Sequence, residues 1–278
     1  AMLLLAALPT TISAVVGVLV FGDSQGDTGP TYKVIQDELA LHGVAHNVQN
    51  AAIGGTLSCG WAANPNAIVK AAQDNGFGAA GPDLVWFTAG GNDLAGDAKY
   101  HTCLDAATTA SDAKSCLDAA NDRLLPCTTT LLENLWATYP NASVGIYNYE
   151  VPCMEGDCLA AAEEFLGGSF CARQGAGAIS CLVQTLEYWQ TIYVDALQRT
   201  FSSPPGRFTG MNILGAVQQA SGVPGASVGH PATSAGSKCE WMTACVHPTY
   251  GTPAATAVGK AMWDLWLKNS SFERSSQA

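Results

Sequence analysis

An apolar run from Val15 to Phe21, interrupted only by Gly17, constrains this chain most. A strand with one wet face alternates apolar and polar side chains. A run with no polar position fits a strand covered on both faces, which is the environment of a parallel sheet. The remainder of the sequence repeats the theme. Val44 to Val48, "PDLVWFTAGGND", "ASVGIYNYE" and "RFTGMNIL" read as four further strands. Helical stretches separate them: from about Pro30 to Gly43, "NPNAIVKAAQDNG", about Ser111 to Thr138, and "CLVQTLEYWQTIYVDALQRTF". A last helix follows from about Thr252 to Leu267. Proline at the start and glycine at the end frame the first two. Strands alternating with helices predict an α/β fold with helices on both faces of the sheet.

The 278 residues suit one large domain with a sizeable core. We assign residues 15–278 to it, with a cysteine-rich insertion at about 151–180 and a possible leader remnant at 1–14. That leader, "AMLLLAALPTTISA", has the apolar body and small-residue end of a signal peptide but no basic start. A spanning helix needs roughly 20 apolar residues, and Pro9-Thr10-Thr11 interrupts this one, so no membrane insertion is expected. The net charge of −11 argues against nucleic acid and anionic membranes as partners. Ten cysteines without any C-x-x-C pair point to disulfides and an oxidising, extracellular location, not to zinc. The near neighbours Cys153–Cys158, Cys171–Cys181 and Cys239–Cys245 are the expected pairs. Two sequons, at Asn141 and Asn269, agree with a secretory route.

In open α/β sheets ligands sit beyond the carboxyl ends of the strands. Three loops qualify. Loop one, 22–29, offers Asp23, Ser24 and Asp27. Ser and Asp are ordinary helix caps there. A serine at a strand-to-helix junction also exposes its hydroxyl on a rigid base near the positive helix end. Calcium-loop and Walker spacings are both missing. Loop two, "NAAIGGTLSCG", lets backbone N–H groups approach a ligand; loop three, "AGGND", offers the amide of Asn92. Each loop alone is better explained as a turn or a helix cap. A nucleophilic serine needs a base, and of the five histidines His230 and His247 return latest in the chain toward the same strand ends.

The ordered set "FGDSQGDTG", "NAAIGG", "GGND" and "VHP" resembles the four blocks of the GDSL, or SGNH, hydrolases. It covers the chain from about 15 to 268. The resemblance implies a three-layer α/β/α sandwich on a five-stranded, mainly parallel, flavodoxin-like sheet. It also implies hydrolysis of carboxylic esters by a secreted enzyme that requires no metal and no organic cofactor. Ser24 would be the nucleophile and His247 the base. The N–H groups of Ser24 and Gly55 and the side chain of Asn92 would form the oxyanion hole. Asp23 and Asp27 would organise the loop. The substrate would be a small-molecule, lipid or acylated-carbohydrate ester, acted on by a monomer.

The family usually carries Asp three residues before its histidine, and Ala244 stands there instead. The expectation is a Ser24–His247 dyad with the Ala244 carbonyl accepting from the imidazole, or Glu240 in that role. A catalytically weak or inactive carbohydrate-binding module and an acyltransferase use the same residues and stay open. A second serine motif, "GASVG" around Ser227, fits the α/β-hydrolase elbow only if a strand precedes it and a helix follows. Its Pro- and Gly-rich surroundings favour a loop.

Overall fold

The computed structural model describes residues 15–27, 31–147 and 149–270. The leader expected at 1–14 and the helix start expected at Pro30 lie outside them. Five strands form one parallel sheet in the order β2-β1-β3-β4-β5. They are β1 (Val16–Gly22), β2 (His46–Asn50), β3 (Leu84–Thr88), β4 (Ser143–Tyr147) and β5 (Phe208–Met211). The alternation predicted an α/β fold, and this is its five-stranded form.

Side-chain alternation along the strands divides the core between two faces. Leu19, Phe21, Val85, Phe87, Val144 and Ile146 pack on one side, against Leu131, Leu135 and Trp136 of helix Ala110–Thr138 and Leu186 and Trp189 of helix Ala178–Trp189. Val18, Val20, Leu84 and Trp86 pack on the other, against Val34, Ile35 and Leu39 of helix Thr31–Leu41 and Val258 and Met262 of helix Pro253–Leu265. Both faces exclude water, which is why β1 contains no polar position.

Three of the departures from expectation matter beyond the loops. His101 lies on a helix, Ala98–Ala106, which is absent from the helical stretches read in the sequence. Asp97 caps that helix by accepting from the Lys99 and Tyr100 N–H groups. The long helical stretch after the insertion is divided by a π turn at Gln190–Val194. His247 lies on a two-stranded hairpin, β6 (Met242–Thr243) and β7 (His247–Pro248), that the sequence did not announce.

Five disulfides join Cys59 to Cys127, Cys103 to Cys116, Cys153 to Cys239, Cys158 to Cys245 and Cys171 to Cys181. Only Cys171–Cys181 matches the near-neighbour expectation. Cys153 does not pair with Cys158, nor Cys239 with Cys245. Both pairs cross, because the chain after β4 runs beside the chain before the last helix. Backbone bonds mark that alignment: the Cys153 N–H donates to the Cys245 carbonyl at 2.8 Å and the Ser237 N–H to the Pro152 carbonyl at 2.9 Å. "GASVG" is a tight turn, with Ser227 bridged to His230. It has neither the strand nor the helix of an elbow.

Gly22 ends β1 with φ +132°, and a Cβ there would lie 1.8 Å from the Thr88 carbonyl oxygen. Gly22→Ala is therefore expected to cost about 3 kcal/mol or more. Gly43→Ala, also at positive φ but with nothing within 4 Å, should cost only about 1–2 kcal/mol. Urea denaturation of the two variants separates the clash from the backbone strain.

Candidate active site

The site grows from the end of β1. The Asp23 N–H donates to the Thr88 carbonyl at 3.2 Å, continuing the β1–β3 ladder one residue past the strand. The Asp23 side chain is thereby drawn into the interior. Its carboxylate accepts from the Gln25 N–H at 3.1 Å and from the Tyr149 hydroxyl at 3.4 Å. Burial pushes its pKa up to about 6, against the pull of those donors and of Thr88. Ser24 follows at the start of a short helical turn, Ser24–Asp27, and is only partly buried.

The three loops are bound to one another by polar contacts. Asp27 accepts from the Gly54 N–H at 2.8 Å, and Asn50 donates to the Gly26 carbonyl at 3.0 Å, so loop two lies against loop one. Gly55 sits next in loop two, exposed and at φ +76°. Asn92, in the short helix Gly91–Ala95, donates through Nδ2 to the Thr56 carbonyl at 3.1 Å. Its neighbour Asp93 accepts from the Ser58 and Cys59 N–H groups at 2.7 and 3.2 Å, joining loop three to loop two.

His247 arrives from the hairpin. Its turn places Ala244 and Cys245 at φ 48° and 66°, closed by the Val246 N–H on the Thr243 carbonyl at 3.3 Å. Two successive left-handed residues are the mark of a type I′ turn. The Cys158–Cys245 bridge holds this turn, and Cys153–Cys239 holds the residue run before it. The imidazole is 5% exposed, and burial lowers its pKa to about 4.

The orienting contact expected for the ring is not made. Nδ1 is buried with no hydrogen-bond partner among the described residues, so the Ala244 carbonyl does not accept from it. The left-handed turn spends Ala244 on reversing the chain. Glu240 is no substitute: its side chain is 66% exposed and pairs with Lys238.

Tyr149 is the residue that the sequence did not single out. It follows β4, the fourth strand end, and so occupies the same rim as the three chosen loops. Its ring centroid stands 6.2 Å from that of His247. Its hydroxyl donates to Asp23 and is hydrogen-bonded to Ser24. Burial beside the Asp23 carboxylate raises its pKa well above the ordinary tyrosine value. The ring covers Gly91, where a Cβ would stand 2.0 Å from a ring carbon. Tyr149 thus touches loop one, loop three and the histidine. The only signal for it was position at a strand's carboxyl end.

No family model matches the chain, and no curated protein sequence does. Solved structures do. A lipase from a goat rumen metagenome is 10% identical, with a TM-score of 0.54 over 93% of this chain and 100% of that one. Phospholipase A1 from Streptomyces albidoflavus is 15% identical, with a TM-score of 0.52 over 91% of this chain and 100% of that one. A gut microbial diltiazem-metabolizing enzyme is 12% identical, with a TM-score of 0.57 over 91% of this chain and 47% of that one. The chain shares the α/β/α fold of these enzymes, a five-stranded parallel sheet with helices on both faces. At that level the resemblance read from its four motifs holds.

The buried imidazole links the site to stability. An unfolded histidine titrates near 6.5, so the unfolded chain takes up the proton first as pH falls. Stability from this group is complete above about pH 6.5 and is lost progressively toward pH 4. The unfolding free energy of the protein minus that of His247→Asn should therefore shrink over this window in urea titrations. A constant difference would mean a solvated imidazole.

Proposed function

We propose that the protein is a secreted carboxylic-ester hydrolase acting through Ser24 and His247. The observation that carries this is the shared border of the two residues on Tyr149, at the rim where loops two and three converge. Ser24 Oγ bonds to the acyl carbon and passes its proton to Nε2 of His247. The imidazolium gives that proton to the departing alkoxide, and the alcohol leaves. Water then attacks the acyl-serine, His247 takes its proton and returns it to Ser24, and the carboxylic acid is released.

The developing oxyanion would be held by the N–H groups of Ser24 and Gly55 and by Asn92. An amide nitrogen carries two hydrogens, and Asn92 commits one to Thr56. Each such donor is typically worth about 2.7–4 kcal/mol in the transition state. Ile53 and Leu57, 52% and 44% exposed, flank the two glycines of loop two and favour an ester with an apolar group. Five disulfides support an extracellular site of action.

A second reading, a weak or inactive binding module, is favoured by one observation. For Nε2 to accept a proton, Nδ1 must carry one, and Nδ1 has no acceptor among the described residues. The two readings separate on p-nitrophenyl acetate turnover and fluorophosphonate labelling. Hydrolysis predicts labelling of Ser24 and a loss of about 10³-fold or more in Ser24→Ala. It also predicts that kcat/KM rises through about pH 4 as the imidazole loses its proton, with no further rise from this group above pH 5. Equal turnover in the protein and Ser24→Ala, with no labelling, leaves the binding module.

A different prediction concerns the crossed bridges. Removing Cys158–Cys245 by double substitution to serine frees the turn that carries His247. Turnover should fall by at least tenfold while far-ultraviolet circular dichroism at 25 °C stays native. Removing Cys171–Cys181 in the same way should leave turnover within about twofold.

A further inference from the structure

The hydrolytic steps do not use Asp23, although it lies buried beside the nucleophile. Its two carboxylate oxygens face different kinds of donor. Oδ1 accepts from the Gln25 N–H at 3.1 Å, a backbone group that can only donate. Oδ2 faces the Tyr149 hydroxyl at 3.4 Å, a group that can turn and accept instead. The Thr88 hydroxyl also reaches the carboxylate. The other titratable groups coupled to Asp23 are Asp93 of loop three, Tyr147 of β4 and Tyr193 of the π turn. Asp93 is another acid and both tyrosines are buried and neutral, so none of the three offsets the charge of Asp23.

Two hydroxyl hydrogens serve three groups here. Tyr149 has one, and Ser24, to which it is hydrogen-bonded, has the other. While Asp23 is ionised, Tyr149 gives its hydrogen to Oδ2. Toward Ser24 it then offers only an acceptor, and it competes with Nε2 of His247 for the one hydrogen of Ser24. His247 is a weak rival, since no acceptor at Nδ1 among the described residues raises its basicity. When Asp23 is protonated at Oδ2, the order reverses. Asp23 donates to Tyr149, Tyr149 donates to Ser24 Oγ, and the Ser24 hydrogen is left to His247. Burial lifts the pKa of Asp23 to about 6, so the reversal falls within an ordinary working range.

We propose that Asp23 is a positioning residue whose protonation, passed on by Tyr149, turns the Ser24 hydrogen from Tyr149 to His247. This rests on the hydrolase reading and adds a regulation to it: ester cleavage is favoured in acid and slows as Asp23 ionises.

Acetate release from p-nitrophenyl acetate, followed from about pH 3 to 8 with the uncatalysed rate subtracted, tests the switch. kcat/KM should rise through about pH 4 with His247 and fall about tenfold through about pH 6 with Asp23. Asp23→Asn presents an amide N–H to Tyr149 at every pH. Tyr149→Phe removes the rival acceptor and keeps the ring over Gly91. Each should abolish the fall. A plateau or a further rise from about pH 5 to 8, or a fall that survives both variants, would overturn the proposal. A surviving fall would belong to another buried acid such as Glu150, which accepts from the Val151 and Gly215 N–H groups. Carbon-13 NMR reads the same reversal without turnover. The Asp23 carboxyl and Tyr149 Cζ resonances should move together in one titration near pH 6, and the Asp23 midpoint should rise in Tyr149→Phe, which lacks the donor. A Tyr149 resonance that does not follow Asp23 would overturn the proposal in an active or an inactive protein. If one variant fails to fold, the other and the NMR titration still decide. Turnover independent of Ser24, with the two resonances still moving together, would refute the hydrolase reading and leave the reversal standing.

Discussion

The hydrogen bond from the Asp23 N–H to the Thr88 carbonyl is the contact on which the site depends. It carries the parallel ladder one residue beyond β1. The Asp23 side chain must then enter the interior, and Ser24 must emerge at the rim. Gly22 makes the contact possible, since any Cβ would collide with the same carbonyl. Because β1 is buried on both faces, this exit cannot shift without disturbing two layers of packing. Backbone geometry, not side-chain preference, determines where the hydroxyl stands.

Around that point the protein withdraws polar groups from water. Asp23, Tyr149 and His247 are each at most 5% exposed. Their pKa values move in the directions that keep them neutral. A low-dielectric site strengthens every remaining hydrogen bond, and it penalises the imidazolium that the proposed ester cleavage would form. In the serine protease template a buried carboxylate offsets that penalty. Here Ala244 stands where the resembled hydrolases carry Asp, and Nδ1 has no partner among the described residues. Tyr149 orders Ser24 and Asp23 instead, from a strand end that carries none of the four recognised blocks.

The placement of His247 rests on covalent and backbone ties that are long in sequence. Cys153–Cys239 spans 86 residues and Cys158–Cys245 spans 87. They bind the chain after β4 to the hairpin, so a two-residue strand holds its position with a single partner strand beside it. Near-neighbour pairing failed for these four cysteines because adjacency in sequence says nothing of which segments run side by side. It succeeded for Cys171–Cys181, which lie ten residues apart and in helical segments that meet locally.

Periodicity and punctuation alone determined the five strands, the helices on both faces, and the segments beyond the strand ends that hold Ser24, Gly55 and Asn92. Those features are local: an unbroken apolar run, a terminal glycine and a loop after a strand are written in consecutive residues. Tertiary structure alone decided the cysteine partners, the hairpin under His247, the orphaned Nδ1 and the reach of Tyr149 to three separated segments. These depend on distances between residues far apart in the chain. Only the packing of both core faces, once complete, sets such distances.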